Sequence, residues 1–318
     1  VDSWNAFDAL FAWDRRPVRG TVGSADRHCA SYLGAAVRSF FANGGRRALI
    51  VRCGDPWPYI EAAGNRAAQR TSRLAALLAN AASPLDPASW IGIAHLSGLP
   101  EVALLSLPDL ADICATEAAI VDVAVEPPSS PEVFVDCSSN AAAAVEQDVG
   151  LRDLAPPRAD DDGFIAWRNA VGTVRERLAR QHREMLLVAA LPLPTQNARN
   201  ADAWAQADFH RYLENASVLA APDSSNAGRA AASAFVQLAW PWLRTSHSAD
   251  LPGALEAPDG LLTGLLAINA LARGTFRSLA GTPLAAVSGS EPVLAWSGIA
   301  ETPSDRLARR VCVIAPSP

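Results

Sequence analysis

The chain has no lysine: all 27 of its basic residues are arginine. Against 33 acidic residues they leave a net charge of −6, so the overall balance does not argue for nucleic acid or an anionic membrane surface as a partner. An arginine-only set of cations gives a surface whose positive groups can all make planar, bidentate contacts with carboxylates on a neighbour. No uncharged apolar run reaches the roughly 18 to 20 residues of a membrane span, and no signal peptide is present. The reading is a soluble protein made in the cytoplasm, with no direct membrane insertion.

Catalytic signatures are equally scarce. There is no GxxxxGK[ST] loop to cradle a nucleotide phosphate, and no GxGxxG follows a strand. Gly-x-Ser-x-Gly is absent, so Val287-Ser288-Gly289-Ser290 reads as a turn. The five cysteines (Cys29, Cys53, Cys114, Cys137, Cys312) form no CxxC or Cys/His pair and read as reduced, buried thiols. The five histidines (His28, His95, His182, His210, His247) show no metal-ligand spacing. Expected cofactors, metals and catalytic residues are therefore none. The best enzyme-like feature is Asp109 with Asp112 after a strand end. Its bland alternative is that Pro108-Asp109 opens a helix and Asp112 sits in the first turn, where negative charge is favoured.

What is present is a core. Half of the residues are hydrophobic and 19% charged, enough for a substantial interior and more than one lobe. Within 32–53, Leu33, Ala36, Val37, Phe40 and Phe41 recur at helical spacing, so one face must be buried. Asn43-Gly44-Gly45 stops that helix by supplying a left-handed cap. Ala48-Leu49-Ile50-Val51 then has the character of a strand covered on both faces, and is expected to be central.

Elsewhere the pattern predicts an N-terminal helix through Trp4, Phe7, Leu10, Phe11 and Trp13, a helix over 62–81, and a buried strand over 102–107 closed by Pro108. A third strand is expected over 132–137, and an exposed linker over 155–163 carrying the solvated run Asp160-Asp161-Asp162. A helix over 164–183 follows, with Phe164, Trp167, Val171, Val174 and Leu178 as its seam, then a fourth strand over 185–191. Residues 195–225 read as a surface insertion with a short helix near 203–213. Residues 231–240 read as an apolar helix running into Trp240-Pro241-Trp242, and 261–272 as another helix. Four apolar strands alternating with amphipathic helices predict an α/β fold with a mixed, mostly buried sheet sandwiched by helices. The expected organisation is 1–155 and 156–194 as one α/β region, 195–225 as the insertion and 226–318 as a C-terminal part. Both ends read as cut from a longer chain.

Three blocks in order resemble the contractile tail sheath proteins of phage tails and bacterial injection particles. Phe40-Phe41-x-Asn43-Gly44-Gly45 with a following apolar run is the first, with Ser3-Trp4-x-x-Phe7 and Phe11 ahead of it. Trp90-x-Gly92, Gly98-Leu99-Pro100-Glu101-Val102 and the strand end Pro108-Asp109 form the second. Trp240-Pro241-Trp242, Pro258-Asp259-Gly260, Gly264, Ala267 and Arg273-Gly274 form the third. The chain departs from the family pattern at Ala257 or Asp259, where a second proline is usual, and at Ala270, beside Asn269, where an acid is usual. The resemblance implies a structural subunit that polymerises helically around an inner tube and contracts to drive it. Its implied partners are other sheath subunits, the inner tube protein, and baseplate and cap proteins. It also implies terminal arms that exchange strands between subunits, which this chain does not show. The particle would be cytoplasmic, membrane-attached or released. The alternatives are a cap or baseplate-proximal paralogue acting as an adaptor, and a cytosolic α/β enzyme using Asp109 and Asp112.

Overall fold

Three parallel pairings make the centre of the molecule. In a computed structural model describing residues 1–16, 31–54, 66–81, 83, 85–116, 120–122, 152–195, 213–214, 218, 233–284, 286–293 and 311–314, four strands lie in the order β1-β5-β7-β10. They are β1 (Leu104–Ser106), β5 (Leu186–Ala190), β7 (Val236–Trp240) and β10 (Val311–Val313), each parallel to its neighbour. Helices cover both faces. The fold is thus α/β with a mainly parallel central sheet.

The strand pleat divides the core. Leu187 and Ala189 of β5, with Val236, Leu238 and Trp240 of β7, join one large cluster built on helix α5 (Asp161–Gln181). Its five seam residues, Phe164, Trp167, Val171, Val174 and Leu178, are all fully buried, as the spacing requires. The alternate residues Val188 and Ala239 face the other way, toward Leu262 of helix α6 (Asp259–Arg273). Helix α2 (Leu33–Ala42) lies on α6, and α1 (Trp4–Phe11) lies against α2. Helix α3 (Arg66–Leu77) and the short α4 (Leu110–Ile113) complete the helical set among the described residues. Three two-stranded pairs lie outside the central sheet. These are β2 (Ile120–Asp122) with β3 (Arg152–Leu154), β4 (Arg158–Ala159) with β6 (Leu193–Pro194), and β8 (Trp242–Thr245) with β9 (Val287–Glu291).

Several expectations need correction. Of the helix expected over 231–240, the described residues 233–240 are not helical: Val236–Trp240 is an inner strand of the sheet. Pairing on both edges satisfies a ladder of backbone groups, and that outweighs the helix propensity of an Ala-rich run. Residues 155–163 are not an exposed linker either. Arg158 and Ala159 are buried in β4, and Asp160 caps α5 by accepting the Gly163 N–H at 2.9 Å. Asp161 and Asp162 then occupy the first turn, where the helix dipole favours them. The strand over 102–107 shortens to β1, half-buried at the sheet edge.

Residues 48–51 are extended but pair with no strand among the described residues, so they are not central, and Leu49 and Val51 are exposed. Within 195–225, Thr195, Leu213 and Val218 are buried rather than on the surface, and the rest of that segment lies outside the described residues. The strand expected over 132–137 also lies outside them. The helix over 62–81 appears as α3, and residues 62–65 lie outside the described residues. Cys53 is exposed, not buried; Cys114 is buried and Cys312 half-buried, and all three are free thiols. No helix among the described residues is long and apolar enough to cross a membrane.

Candidate functional site

The third sheath-like block includes α6, and the glycines Gly260 and Gly264 decide how that helix packs. A Cβ built on Gly260 would stand 2.5 Å from the Ala36 Cα, and one on Gly264 would stand 2.5 Å from the Phe40 carbonyl oxygen. One on Gly44, whose φ of +95° already favours glycine, would meet the Ile268 Cβ at 2.8 Å. Positions 36, 40 and 44 therefore lie beside 260, 264 and 268. Both series advance by four residues in the same direction, so α2 and α6 run parallel with their backbones in contact. Phe40, Asn43, Gly44, Gly260 and Gly264, read separately in the sequence, meet on one seam. Asn43 closes α2 by donating Nδ2–H to the Ser39 carbonyl at 2.8 Å, and Gly45 N–H returns to the Phe40 carbonyl at 2.9 Å.

A buried acidic junction lies alongside this seam. Glu256, 1% exposed, accepts from the Ser39 hydroxyl, whose oxygen is 3.0 and 2.8 Å from the two carboxyl oxygens, and from the Thr245 hydroxyl. Asp259, also 1% exposed, accepts from Ser106 Oγ at 2.5 Å and from the Gly260 N–H at 3.0 Å. Asp109, half-buried beside them, accepts the Tyr32 N–H at 2.6 Å and so holds the start of α2 while itself opening α4. The three carboxyls join β1, β8, α2, α4 and α6. Burial pushes all three upward: Asp109 to about 7, Glu256 to about 7 and Asp259 to about 6. Hydrogen bonds from Tyr32, Thr245, Ser39 and Ser106 pull the other way, while the charges of Asp112 and Asp259 raise Asp109 further. Asp112 sits in the first turn of α4.

Asp109 also faces a cavity of about 1160 Å3 between β1, α2 and the extended residues 48–54. Its walls are mainly apolar, with Leu33, Val37, Leu104 and Leu105 among them. No group of three or more His, Cys, Asp or Glu side chains among the described residues is arranged to hold a metal ion.

The remaining motif residues go elsewhere. Trp240 and Trp242 flank Pro241 and are buried; Trp242 donates its indole N–H to the Leu191 carbonyl at 2.9 Å and meets Tyr32 edge-on at 5.4 Å. Phe41 stacks edge-on with Phe40. Trp90 packs beside His95 and over Gly98, apart from the seam. Pro258 opens α6 and Pro108 precedes α4, while Arg273 and Gly274 end α6, Gly274 with a φ of +89°. Sequence reasoning missed Ser39, Thr245 and Glu256. The available signals were a lone glutamate in the apolar run 251–257 and a serine on an apolar helix face.

No protein-family model matches the chain, and no curated protein sequence matches it.

Proposed function

We propose that this chain is a structural subunit of the contractile sheath of a phage-tail-like injection particle. The observation that carries the reading is the α2–α6 seam. The Asn-Gly-Gly block and the Pro-Asp-Gly block, more than two hundred positions apart, are the two halves of one glycine-mediated helix contact. A motif of that kind preserves a backbone-to-backbone distance, which suits a rigid body that must repeat along a helix without deforming. Subunits of this type store free energy in the packing between copies and release it when the lattice changes state, with no nucleotide consumed. Helical growth needs heterologous contacts that do not close on themselves. A surface whose cations are all arginine can make such contacts specific through paired carboxylates on the next subunit. No residue is assigned a catalytic role.

The deciding measurement is negative-stain electron microscopy of the protein from its full open reading frame, with and without the neighbouring tube gene. Striated tubes or rings are expected. Discrete small particles in both samples would overturn the reading and favour a cap or adaptor.

One observation favours a second reading, an α/β enzyme: Asp109 combines a raised pKa with a place on the wall of a large apolar cavity. Loss of a measured activity in Asp109→Ala with an unchanged fold would support it. Tube formation by the isolated protein would sink it.

A further inference from the structure

Residues 47–54 run beside the free edge of β1 without pairing with it. Among the described residues the central sheet ends at β1, whose other edge is taken by β5, with Leu104 opposite Leu186 and Leu105 opposite Leu187. Facing the free edge across the cavity are Leu49, Ile50 and Val51. Their composition is that of a buried strand, yet Leu49 and Val51 are 36% and 38% exposed.

The two chain segments come together at matching ends. Arg47, at the start of one, pairs with Glu101, just before the other, at 3.9 Å. At the far end Cys53 and Asp109 line the same cavity. The segments therefore run in the same direction, joined through α3, in the order strand, helix, strand of a parallel crossover unit.

We propose that residues 49–53 are a closing strand that zips in parallel onto the free edge of β1, adding a fifth strand to the sheet and collapsing the cavity. With Arg47 taken opposite Glu101, Ile50 falls beside Leu104, Val51 beside Leu105 and Arg52 beside Ser106. One edge of the segment is already occupied. The Ala48 N–H donates to the Val1 carbonyl at 2.8 Å, and the Val1 nitrogen donates to the Ala48 carbonyl at 2.9 Å. Backbone groups of an extended chain point to alternate edges, so the groups directed at β1 belong to Leu49, Val51 and Cys53. Closure buries the apolar side chains of Leu49 and Val51 and satisfies the free edge of β1. It takes no residue from another chain and stands apart from the sheath reading.

Residue-resolved hydrogen exchange on the full chain tests this. The amides of Leu49, Val51 and Cys53 are expected to exchange at least about tenfold more slowly than an unstructured chain, with Ile50 faster, at a ratio independent of protein concentration. Val51→Pro removes one donor, and protection at Leu49 and Cys53 is expected to fall while the far-ultraviolet circular dichroism is unchanged. Exchange of Leu49, Val51 and Cys53 at the unstructured rate in the wild type would overturn the proposal. So would protection that grows with concentration, which would mark a strand from another copy on the edge instead.

Discussion

Gly264 lies against the Phe40 carbonyl: a methyl group in place of its hydrogen would stand 2.5 Å from that oxygen. The obstacle is backbone, which cannot swing aside, and Gly260 faces the same constraint from the Ala36 Cα. Gly264→Ala and Gly260→Ala are therefore expected to destabilise the fold by roughly 1 to 3 kcal/mol each, because α2 and α6 must separate. Gly172, in α5, has open space where its Cβ would go. Gly172→Ala is expected to stabilise by about 0.5 to 1 kcal/mol. Urea unfolding of the three variants checks the contrast, and an equal effect at all three positions would contradict the seam.

The acidic junction makes stability fall with rising pH. Asp109, Asp259 and Glu256 have folded pKa values of about 7, 6 and 7, above those of ordinary carboxyls because they are withdrawn from solvent, Asp259 and Glu256 fully and Asp109 in part. Between pH 4 and 7 the folded chain holds protons that the unfolded chain has released, so the stabilisation present in mild acid is lost as pH rises through that window. The melting temperature is expected to be higher at pH 5 than at pH 8, by roughly 5 °C or more. Glu256→Gln carries no charge to desolvate and is expected to raise stability at pH 8 while changing little at pH 5. A flat profile from pH 5 to 8 would show that the carboxyls are solvated or paired.

Trp242→Phe keeps most of the ring but removes the indole N–H. The Leu191 carbonyl, now receiving that hydrogen at 2.9 Å in the interior, would lose it. A cost of roughly 1 to 3 kcal/mol is expected by chemical denaturation. Trp90→Phe, at a half-buried position, is expected to cost less.

Asp160→Ala removes the side chain that caps α5 at the Gly163 N–H. The expected loss is about 1 kcal/mol, and Asp160→Asn is expected to recover most of it because the amide oxygen can still accept. If the run of three aspartates were merely solvated, both substitutions would leave the melting temperature unchanged.

Much of the fold was legible where a periodic pattern had one consistent environment. The seam of α5 and the strand β5 follow from spacing, since each residue has a single buried face or two covered ones. The end of α2 was legible because Gly44 takes a left-handed φ that few other residues tolerate. Val236–Trp240 was not legible as a strand. Its alanine-rich surroundings favour a helix locally, and only the strands on both sides, β5 and β10, supply the hydrogen bonds that reverse the preference. The acidic junction was hidden for a related reason. Glu256 and Ser39 are separated by 217 positions, and a lone polar residue in an apolar run does not reveal its partner.

The sequence by itself determined which segments are apolar on one face, where α2 and α6 stop, and that no known phosphate, dinucleotide or metal motif is present, because these depend on local periodicity and residue type. Only the tertiary structure decided that 36, 40 and 44 meet 260, 264 and 268, that three carboxyls share one junction, and that β1 keeps a free edge among the described residues. Those relations arise from packing between distant segments, where a backbone contact at 2.5 Å or a desolvated carboxyl takes its energy from neighbours that chain order does not name.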